Sequence, residues 1–231
     1  MKKKNKAIYL LFLMPFVYFA TACFVVWLVK TSGIYPSGSD TMYHVYRGDY
    51  VYNAIKSGNW YPLYDPAWYN GVEILRYWSP FPAYVMAFCQ YLAGGSQFGA
   101  YLFYIGGVCF LGACVWPFIG RGFNRPYLGA FIGLLWFFIP NNLCAIFIEG
   151  NLARSLSMIF LPVFIYSVYK YLYNHKLRYI PLMVFTFLLM ELCHLGYAGM
   201  VAIAVIIYGI VYIIQKLSLI HISEPTRRVV I

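Results

Sequence analysis

The run AIYLLFLMPFVYFATACFVVWLV, residues 7–29, contains no charged side chain and decides the class of fold. Its 23 residues make a helix of about 34 Å at 1.5 Å per residue, enough to cross a hydrocarbon core about 30 Å thick. The preceding MKKKNK is also typical of the start of a signal peptide, but the run is long for one and no small-residue cleavage site follows it. We therefore predict an uncleaved first transmembrane helix.

The rest of the chain continues this composition. Hydrophobic residues make up 62% of the sequence and charged residues 10%, whereas soluble domains contain about 25% charged residues. Five further apolar segments follow, so we predict an all-α, polytopic bundle of transmembrane helices. The predicted spans are residues 7–29, 98–119, 127–148, 155–173, 179–195 and 197–214.

A shorter apolar segment, residues 80–93, belongs to the loop between the first two predicted spans, residues 30–97. It contains Gln90, and its length is typical of an interfacial or re-entrant segment, so we expect it to lie along the membrane surface. Six spans then place both ends of residues 1–216 in the cytoplasm with the basic connections at 121–125 and 174–178. This arrangement follows the positive-inside rule.

The acidic residues agree with this topology, because six of the seven fall on the extracytoplasmic side. These six are Asp40, Asp49, Asp65, Glu73, Glu149 and Glu191. We therefore predict a multi-pass cell-membrane protein with a functional site on its outer side. The net charge of +10 reflects topology and anionic lipid head groups. The expected partner is the lipid bilayer and not nucleic acid, because the chain lacks a basic soluble face.

The stretch PSGSDTMYHVYRGDY, residues 36–50, follows the first span closely and is unusually polar. Ser39 or Asp40 as the N-terminal cap and Gly58 as the stop predict a helix of about 17 residues. At 100° per residue, Asp40, His44 and Arg47 share one face of this helix. An acid, an imidazole and a cation at the membrane exit make a candidate site, although a solvated face with a local ion pair is the alternative.

Two more polar groups are expected at the outer ends of later spans. Pro140, which precedes two asparagines, should break the third span. Asn151 can cap the next helix, and the free N–H groups there, with Arg154 beside them, would suit a phosphate. Glu191 and His194 are three residues apart, which suits a metal ion or, alternatively, a satisfied polar pair.

In the order of these elements the chain resembles the GT-C superfamily of integral-membrane glycosyltransferases, in particular the YfhO-type and 6-pyruvoyl-tetrahydropterin-synthase-related membrane proteins. The resemblance covers roughly residues 5–216. The residues that carry it are Gly38, Asp40 and His44; Gly58 and Trp60; Asn70 and Gly71; Tyr77, Pro80 and Pro82; Glu149, Gly150, Asn151 and Arg154; and His194 with Gly196.

The resemblance implies an enzyme that transfers a sugar from a polyprenyl-phosphate donor to an extracytoplasmic acceptor, with Asp40 as the catalytic carboxylate. The candidate substrate-binding residues are His44, Arg47, Glu149, Asn151, Arg154 and His194. A divalent cation, Mg²⁺ or Mn²⁺, stays open as a cofactor, with Asp40 and Glu191 as candidate ligands. A flippase for lipid-linked sugars or another transporter is the alternative function, and a membrane scaffold is a third.

The last residues, LSLIHISEPTRRVVI at 217–231, depart from the pattern of the chain and resemble a translated sequencing adaptor. We expect residues 1–216 to be one truncated transmembrane domain and residues 217–231 to be a non-native tail. A short native cytoplasmic tail is the alternative, since its basic residues would suit the positive-inside rule.

Overall fold

The protein is a multi-pass bundle of α-helices, as the sequence predicts. The computed structural model describes residues 2–36 and 38–223, with side-chain environments for 12–36 and 38–216; most of the predicted tail lies outside these residues. The helices are α1 (Lys2–Ser32), α2 (Thr41–Lys56), α3 (Phe81–Leu92), α4 (Gln97–Gly122), α5 (Pro126–Leu135), α6 (Pro140–Leu143), α7 (Leu152–Leu172), α8 (Ile180–Cys193) and α9 (Leu195–Ser223). The described residues contain no β-strand, and their one isolated β-bridge joins Asp65 and Val72.

Four helices are long and apolar enough to cross a membrane: α1, α4, α7 and α9. A fifth span results if the bent pair 126–138 and 140–148 is one crossing. The predicted span at 179–195 is represented by α8, which has 14 residues and is therefore about 21 Å long, short of a 30 Å core. The six-span topology stays a prediction.

The third predicted span is broken at Pro140, as the sequence predicts. The two halves, 126–138 and 140–148, meet at 41°, because proline lacks the N–H that would continue the helical hydrogen bonds. Asn142 compensates for this break: its Nδ2 donates a 2.9 Å hydrogen bond to the carbonyl of Trp136. After the break, residues Cys144–Ile148 form a π-helical turn that leads directly into Glu149.

Helix α4 lies at the centre of the bundle and packs against α1, α3, α5 and α7. Its inward face buries Tyr101, Tyr104 and Ile105. The Tyr104 hydroxyl donates a 2.9 Å hydrogen bond to the carbonyl of Leu152, the first residue of α7. The central helix therefore fixes the position at which α7 begins, beside the polar loop 149–151.

We call the loop between the first two predicted spans, residues 30–97, the outer loop. It contains two helices, α2 and α3, which pack against each other. Asp49 and Gln90 join them: Gln90 Nε2 donates a 2.6 Å hydrogen bond to Asp49 Oδ1, which accounts for the glutamine in an apolar segment. Helix α3 has 12 residues and is about 18 Å long, too short to cross the core. This length agrees with the predicted interfacial segment.

The described carboxylates are confined to one end of the bundle, whereas basic residues lie at both ends. The end away from the outer loop carries the basic residues Arg121, Arg125, Lys170, Lys176 and Arg178, and no carboxylate lies there among the described residues. Lys170 Nζ donates a 2.7 Å hydrogen bond to the carbonyl of Gly122, so a cation meets the negative end of the α4 dipole. The carboxylates of the described chain lie at the opposite end.

Candidate functional site

Asp40 stands at the N-terminal cap of α2, as predicted, but its side chain makes no capping hydrogen bond. Its backbone N–H instead donates to the carbonyl of Glu149 at 3.0 Å, and the Ser39 hydroxyl donates to the same oxygen at 3.0 Å. The described partner of the Asp40 carboxylate is the Ser39 hydroxyl, at 3.2 Å. The carboxylate is therefore held by its backbone while its oxygens stay largely available.

Two glycines allow the loop before α2 to contact the loop before α7. Gly150 has a φ of +68°, and a Cβ built on it would lie 2.1 Å from Thr41 Oγ1. A Cβ built on Gly38 would lie 2.6 Å from the Cα of Gly150. Side chains at either position would separate the backbones, so the glycines are required for the contact that positions Asp40.

The loop before α7 carries a cation, an acid and a helix cap. The Arg154 guanidinium binds both oxygens of Glu149, at 2.7 and 3.0 Å, in the bidentate geometry that arginine favours. The Asn151 Oδ1 accepts a 2.9 Å hydrogen bond from the Arg154 N–H, which confirms the predicted cap. The positive charge of Arg154 is thus already compensated by Glu149.

His194 joins this group from the other side. Its Nε2 lies 3.3 Å from Asn151 Nδ2, and its Nδ1 accepts a 3.0 Å hydrogen bond from the N–H of Tyr197. Helix α8 ends at Cys193 and His194 is extended, with φ −155° and ψ 96°. Glu191 and His194 therefore do not share a helix face, which corrects the geometry expected from their spacing; the Glu191 carbonyl instead accepts from the Ser79 hydroxyl.

His44 is buried on the inner side of α2, with 6% of its surface exposed. Burial lowers the pKa of its imidazole to about 3, with smaller contributions from the positive charge of Arg47 and from His194. The imidazole is therefore neutral at physiological pH. It can accept or donate a hydrogen bond, but it does not supply positive charge to the site.

Arg47 is 1% exposed and lies behind the site. Its Nη2 donates to the carbonyls of Trp78 and Ser79 at 3.2 and 3.3 Å, and its guanidinium carbon is 5.5 Å from the centre of the Tyr43 ring. No ion pair to it forms among the residues that the structure describes. The sequence predicted a shared face with Asp40 and His44, but Arg47 does not line the cavity that those two residues line.

That cavity has a volume of about 540 Å³ and lies between the start of α2, the turn around the Asp65–Val72 bridge and the segment before α3. Asp40 and His44 line it together with Glu73. Aromatic side chains form much of the remaining wall: Tyr43, Trp68, Tyr69, Tyr77 and Trp78. A carboxylate without a cationic partner thus faces a concave surface of the size used for small ligands.

The aromatic wall is the part of the site that sequence reasoning missed. The sequence does show many aromatic residues in NWYPLYDPAWYNG and RYWSPFPAY. However, many aromatic residues close to the end of a transmembrane helix are equally typical of an interfacial belt. The turn is held by Asp65, which is 2% exposed, pairs with Val72 through two 2.9 Å backbone hydrogen bonds and accepts from the Tyr46 hydroxyl at 2.5 Å. The alternation and spacing of residues in the sequence do not predict the fold of this turn.

The candidate metal ligands do not come together as a protein-only site. Among the described residues, no group of three or more histidine, cysteine, aspartate or glutamate side chains is arranged to hold a metal ion. Glu149 is engaged by Arg154, and Glu73 by Arg76 at 2.5 Å. Asp40 and Glu191, the candidate ligands for a divalent cation that stayed open, therefore do not belong to such a group among the described residues.

Comparison with known proteins identifies a family. A family model described as a 6-pyruvoyl-tetrahydropterin synthase related domain of membrane proteins matches residues 75–226. The matched region contains Glu149, Asn151, Arg154 and His194, whereas Asp40 lies before it. No curated protein and no solved structure matches the chain.

Proposed function

We propose a glycosyl-transfer function for this chain, which belongs to the 6-pyruvoyl-tetrahydropterin synthase related family of membrane proteins. In this proposal it moves a sugar from a polyprenyl-phosphate donor to a hydroxyl group on the extracytoplasmic side of the membrane. The observation that carries the proposal is the Asp40 carboxylate, which lines a 540 Å³ cavity beside the neutral His44.

Asp40 suits the role of general base because no cation competes for its oxygens among the described residues. A carboxylate paired with arginine would be a poor proton acceptor, since the pairing stabilises its charged form. Here the acidic partner of Arg154 is Glu149, and Asp40, which lines the cavity, has no lysine or arginine partner among the described residues. The contact between Asp40 and Glu149 is a backbone hydrogen bond that involves neither carboxylate.

The proposed reaction is a single inverting displacement. Asp40 takes the proton of the acceptor hydroxyl, and the acceptor oxygen forms a bond to the anomeric carbon. The bond between that carbon and the phosphate oxygen breaks, and its electron pair leaves with polyprenyl phosphate. The products are the glycosylated acceptor and polyprenyl phosphate, so no redox partner is required.

The departing phosphate needs positive charge or hydrogen-bond donors. The Asn151 side-chain amide lies at the start of α7, where its Oδ1 accepts from the Arg154 N–H, and its Nδ2 is the donor that we assign to the phosphate. The phosphate would compete with Glu149 for the guanidinium of Arg154, which Glu149 holds at 2.7 Å. His194, 3.3 Å from Asn151, would contribute a ring N–H.

Transport is the second candidate, and the bent pair 126–138 and 140–148 favours it, because interrupted helices form substrate sites in many transporters. The cavity beside this bend has a volume of about 450 Å³ and includes Asn141 and Asn142. Its other lining residues are aromatic or apolar except for the hydroxyls of tyrosines. A hydrophilic sugar would find few partners there.

The two candidates are separated by testing whether the donor is cleaved. The protein is reconstituted in liposomes with a panel of radiolabelled polyprenyl-phosphate monosaccharides and an envelope glycan extract as acceptor. We expect label to leave the lipid fraction and equimolar polyprenyl phosphate to accumulate. Intact donor that moves between leaflets without cleavage would contradict glycosyl transfer and support transport.

A further inference from the structure

The cavity beside Asp40 differs in charge from the loop before α7. Its charged lining residues are Asp40 and Glu73, of which Glu73 is paired with Arg76, and no lysine or arginine lines it in the part of the chain that the structure describes. Arg154 and Asn151 do not line this cavity, and the guanidinium of Arg154 is paired with Glu149. The cavity therefore disfavours a phosphate and suits an uncharged ligand with hydroxyl groups.

The aromatic wall is arranged as a ligand surface. The Tyr43 ring stands at 62° to Trp68 and at 65° to Trp78, with ring centres 5.2 and 5.9 Å apart. Trp68 packs on Tyr46 at 4.6 Å, and the Tyr46 hydroxyl is held by the buried Asp65. These contacts hold the rings in fixed positions. An interfacial belt requires only that aromatic side chains are exposed, not that they pack in this way.

Other ring surfaces are open to the cavity. Trp78 is 49% exposed and Tyr77 71% exposed, although both belong to a segment that Arg47 fixes through the carbonyls of Trp78 and Ser79. A rigid backbone with exposed aromatic faces provides contact area at a low cost in side-chain entropy. The flat apolar face of a sugar ring matches such a surface, and its hydroxyl edge matches the carboxylates and the neutral His44.

We infer that this cavity is the binding site for the acceptor, and that the acceptor is an uncharged glycan whose terminal sugar ring contacts Trp78 and Tyr77 and directs a hydroxyl to Asp40. This inference rests on the proposed function for the identity of the hydroxyl as an acceptor. The binding itself does not depend on the transfer. The donor phosphate then belongs beside Asn151.

The test measures binding of uncharged disaccharides and of their 6-phosphate forms to the protein in nanodiscs, by saturation-transfer difference NMR. We expect at least one uncharged disaccharide to bind and its phosphorylated form to bind more weakly. Trp78→Ala should weaken the binding about fivefold to tenfold, from the loss of one aromatic contact. Trp60→Ala is the matched control, because Trp60 is 71% exposed in the same loop and does not line the cavity.

In the binding measurements, the inference would be overturned by no binding of any uncharged disaccharide of the panel, by tighter binding of the phosphorylated forms, or by equal losses in Trp78→Ala and Trp60→Ala. Asp40→Asn keeps the aromatic wall and should retain disaccharide binding. Binding without any glycosyl transfer would refute the proposed function and leave this site standing. Transfer with an unchanged acceptor KM in Trp78→Ala would refute this site and leave the proposed function standing.

Discussion

Asp40 and His44 line one cavity, but they meet different environments. The Asp40 side chain is half-buried at the cap of α2, whereas His44 lies one turn further along and is buried beside Arg47. The cost of burying a charged imidazole next to a guanidinium keeps His44 neutral. Asp40 therefore provides negative charge to the cavity, and His44 provides a neutral hydrogen-bonding group.

The neutral state of His44 predicts an acid-dependent stability. Its pKa is about 3 in the folded protein and about 6.5 in an unfolded chain. Between these values the unfolded state binds more protons, so the free energy of unfolding falls as the pH decreases from about 6.5 toward 3. The thermal midpoint of the wild-type protein in detergent should therefore drop more between pH 7 and pH 5 than that of His44→Gln.

The control for this measurement is His175→Asn, at an exposed position with a φ of 49° that asparagine tolerates. It should keep the wild-type pH dependence. An identical drop in wild type and His44→Gln would show that His44 is not buried in the neutral form.

Gly150 predicts a second effect at the level of single residues. A Cβ there would lie 2.1 Å from Thr41 Oγ1, and the φ of +68° disfavours any side chain. Gly150→Ala should destabilise the protein by about 1–3 kcal/mol and reduce transfer, because it separates Asp40 from the loop before α7. Thermal unfolding and the liposome assay measure the two losses.

Gly199→Ala is the matched control, since a Cβ at Gly199 meets nothing within 4 Å and the residue lies in α9. We expect it to be neutral or slightly stabilising. Equal unfolding midpoints for the two alanine variants would contradict the close contact between the loops.

The local features of these residues could be predicted from sequence, but their contacts could not. Asn151 caps α7 through a side-chain bond to nearby backbone, and Asp40 stands at the start of α2 as residue preference predicts, although its side chain makes no capping bond. The junction of Gly38 with Gly150 and the burial of Arg47 against the carbonyls at 78 and 79 depend on residues far apart in the chain. A helical wheel shows which residues share a face, but it does not show which part of that face another segment covers.

Among the helices, the broken third span gives the clearest structural prediction. Asn142 Nδ2 satisfies the Trp136 carbonyl at 2.9 Å, where Pro140 interrupts the helix. Asn142→Leu would leave that buried oxygen without its partner, which should cost about 1–3 kcal/mol in the free energy of unfolding. Thermal unfolding in a fixed detergent measures the loss.

Asn141→Leu provides the comparison, because Asn141 is exposed and its nearest polar contact is a weak one to the Met158 sulfur at 3.9 Å. It should change the unfolding midpoint much less than Asn142→Leu. A larger effect at Asn141 would indicate that the bend is stabilised in another way.

Helix positions followed from the sequence where apolar runs and caps coincide. The predicted α2 and the short interfacial segment correspond to Thr41–Lys56 and Phe81–Leu92. The predicted span at 179–195 differs by one or two residues at each end, since the regular helix begins at Ile180 after a single 3₁₀ turn and ends at Cys193. Hydropathy does not show where this helix ends, because the apolar side chains continue through the break at His194.

At the scale of the whole molecule, the distribution of basic and acidic residues between the two ends of the bundle predicts its orientation in the membrane. The end with Arg121, Lys170 and Arg178 lacks described carboxylates, so we expect it to face the cytoplasm. Single cysteines at Ser57 and Asn174, both exposed, test this in a background without the six native cysteines. An impermeant thiol reagent added to intact cells should label position 57 and not position 174.

Permeabilised cells are the control and should give labelling at both positions. Labelling of position 174 in intact cells would place the basic end outside. That result would contradict the proposed extracytoplasmic site while leaving the fold unaffected.

The most direct test of the central claim compares Asp40→Asn with Asp49→Asn in the liposome transfer assay. Asn cannot take the acceptor proton, so Asp40→Asn should lower turnover at least about 100-fold with an unchanged unfolding midpoint. Asp49→Asn lies on the side of α2 that faces α3, and its remaining oxygen can still accept from Gln90, so its turnover should stay near wild type. Wild-type turnover in Asp40→Asn would contradict the assignment of this carboxylate as the catalytic base.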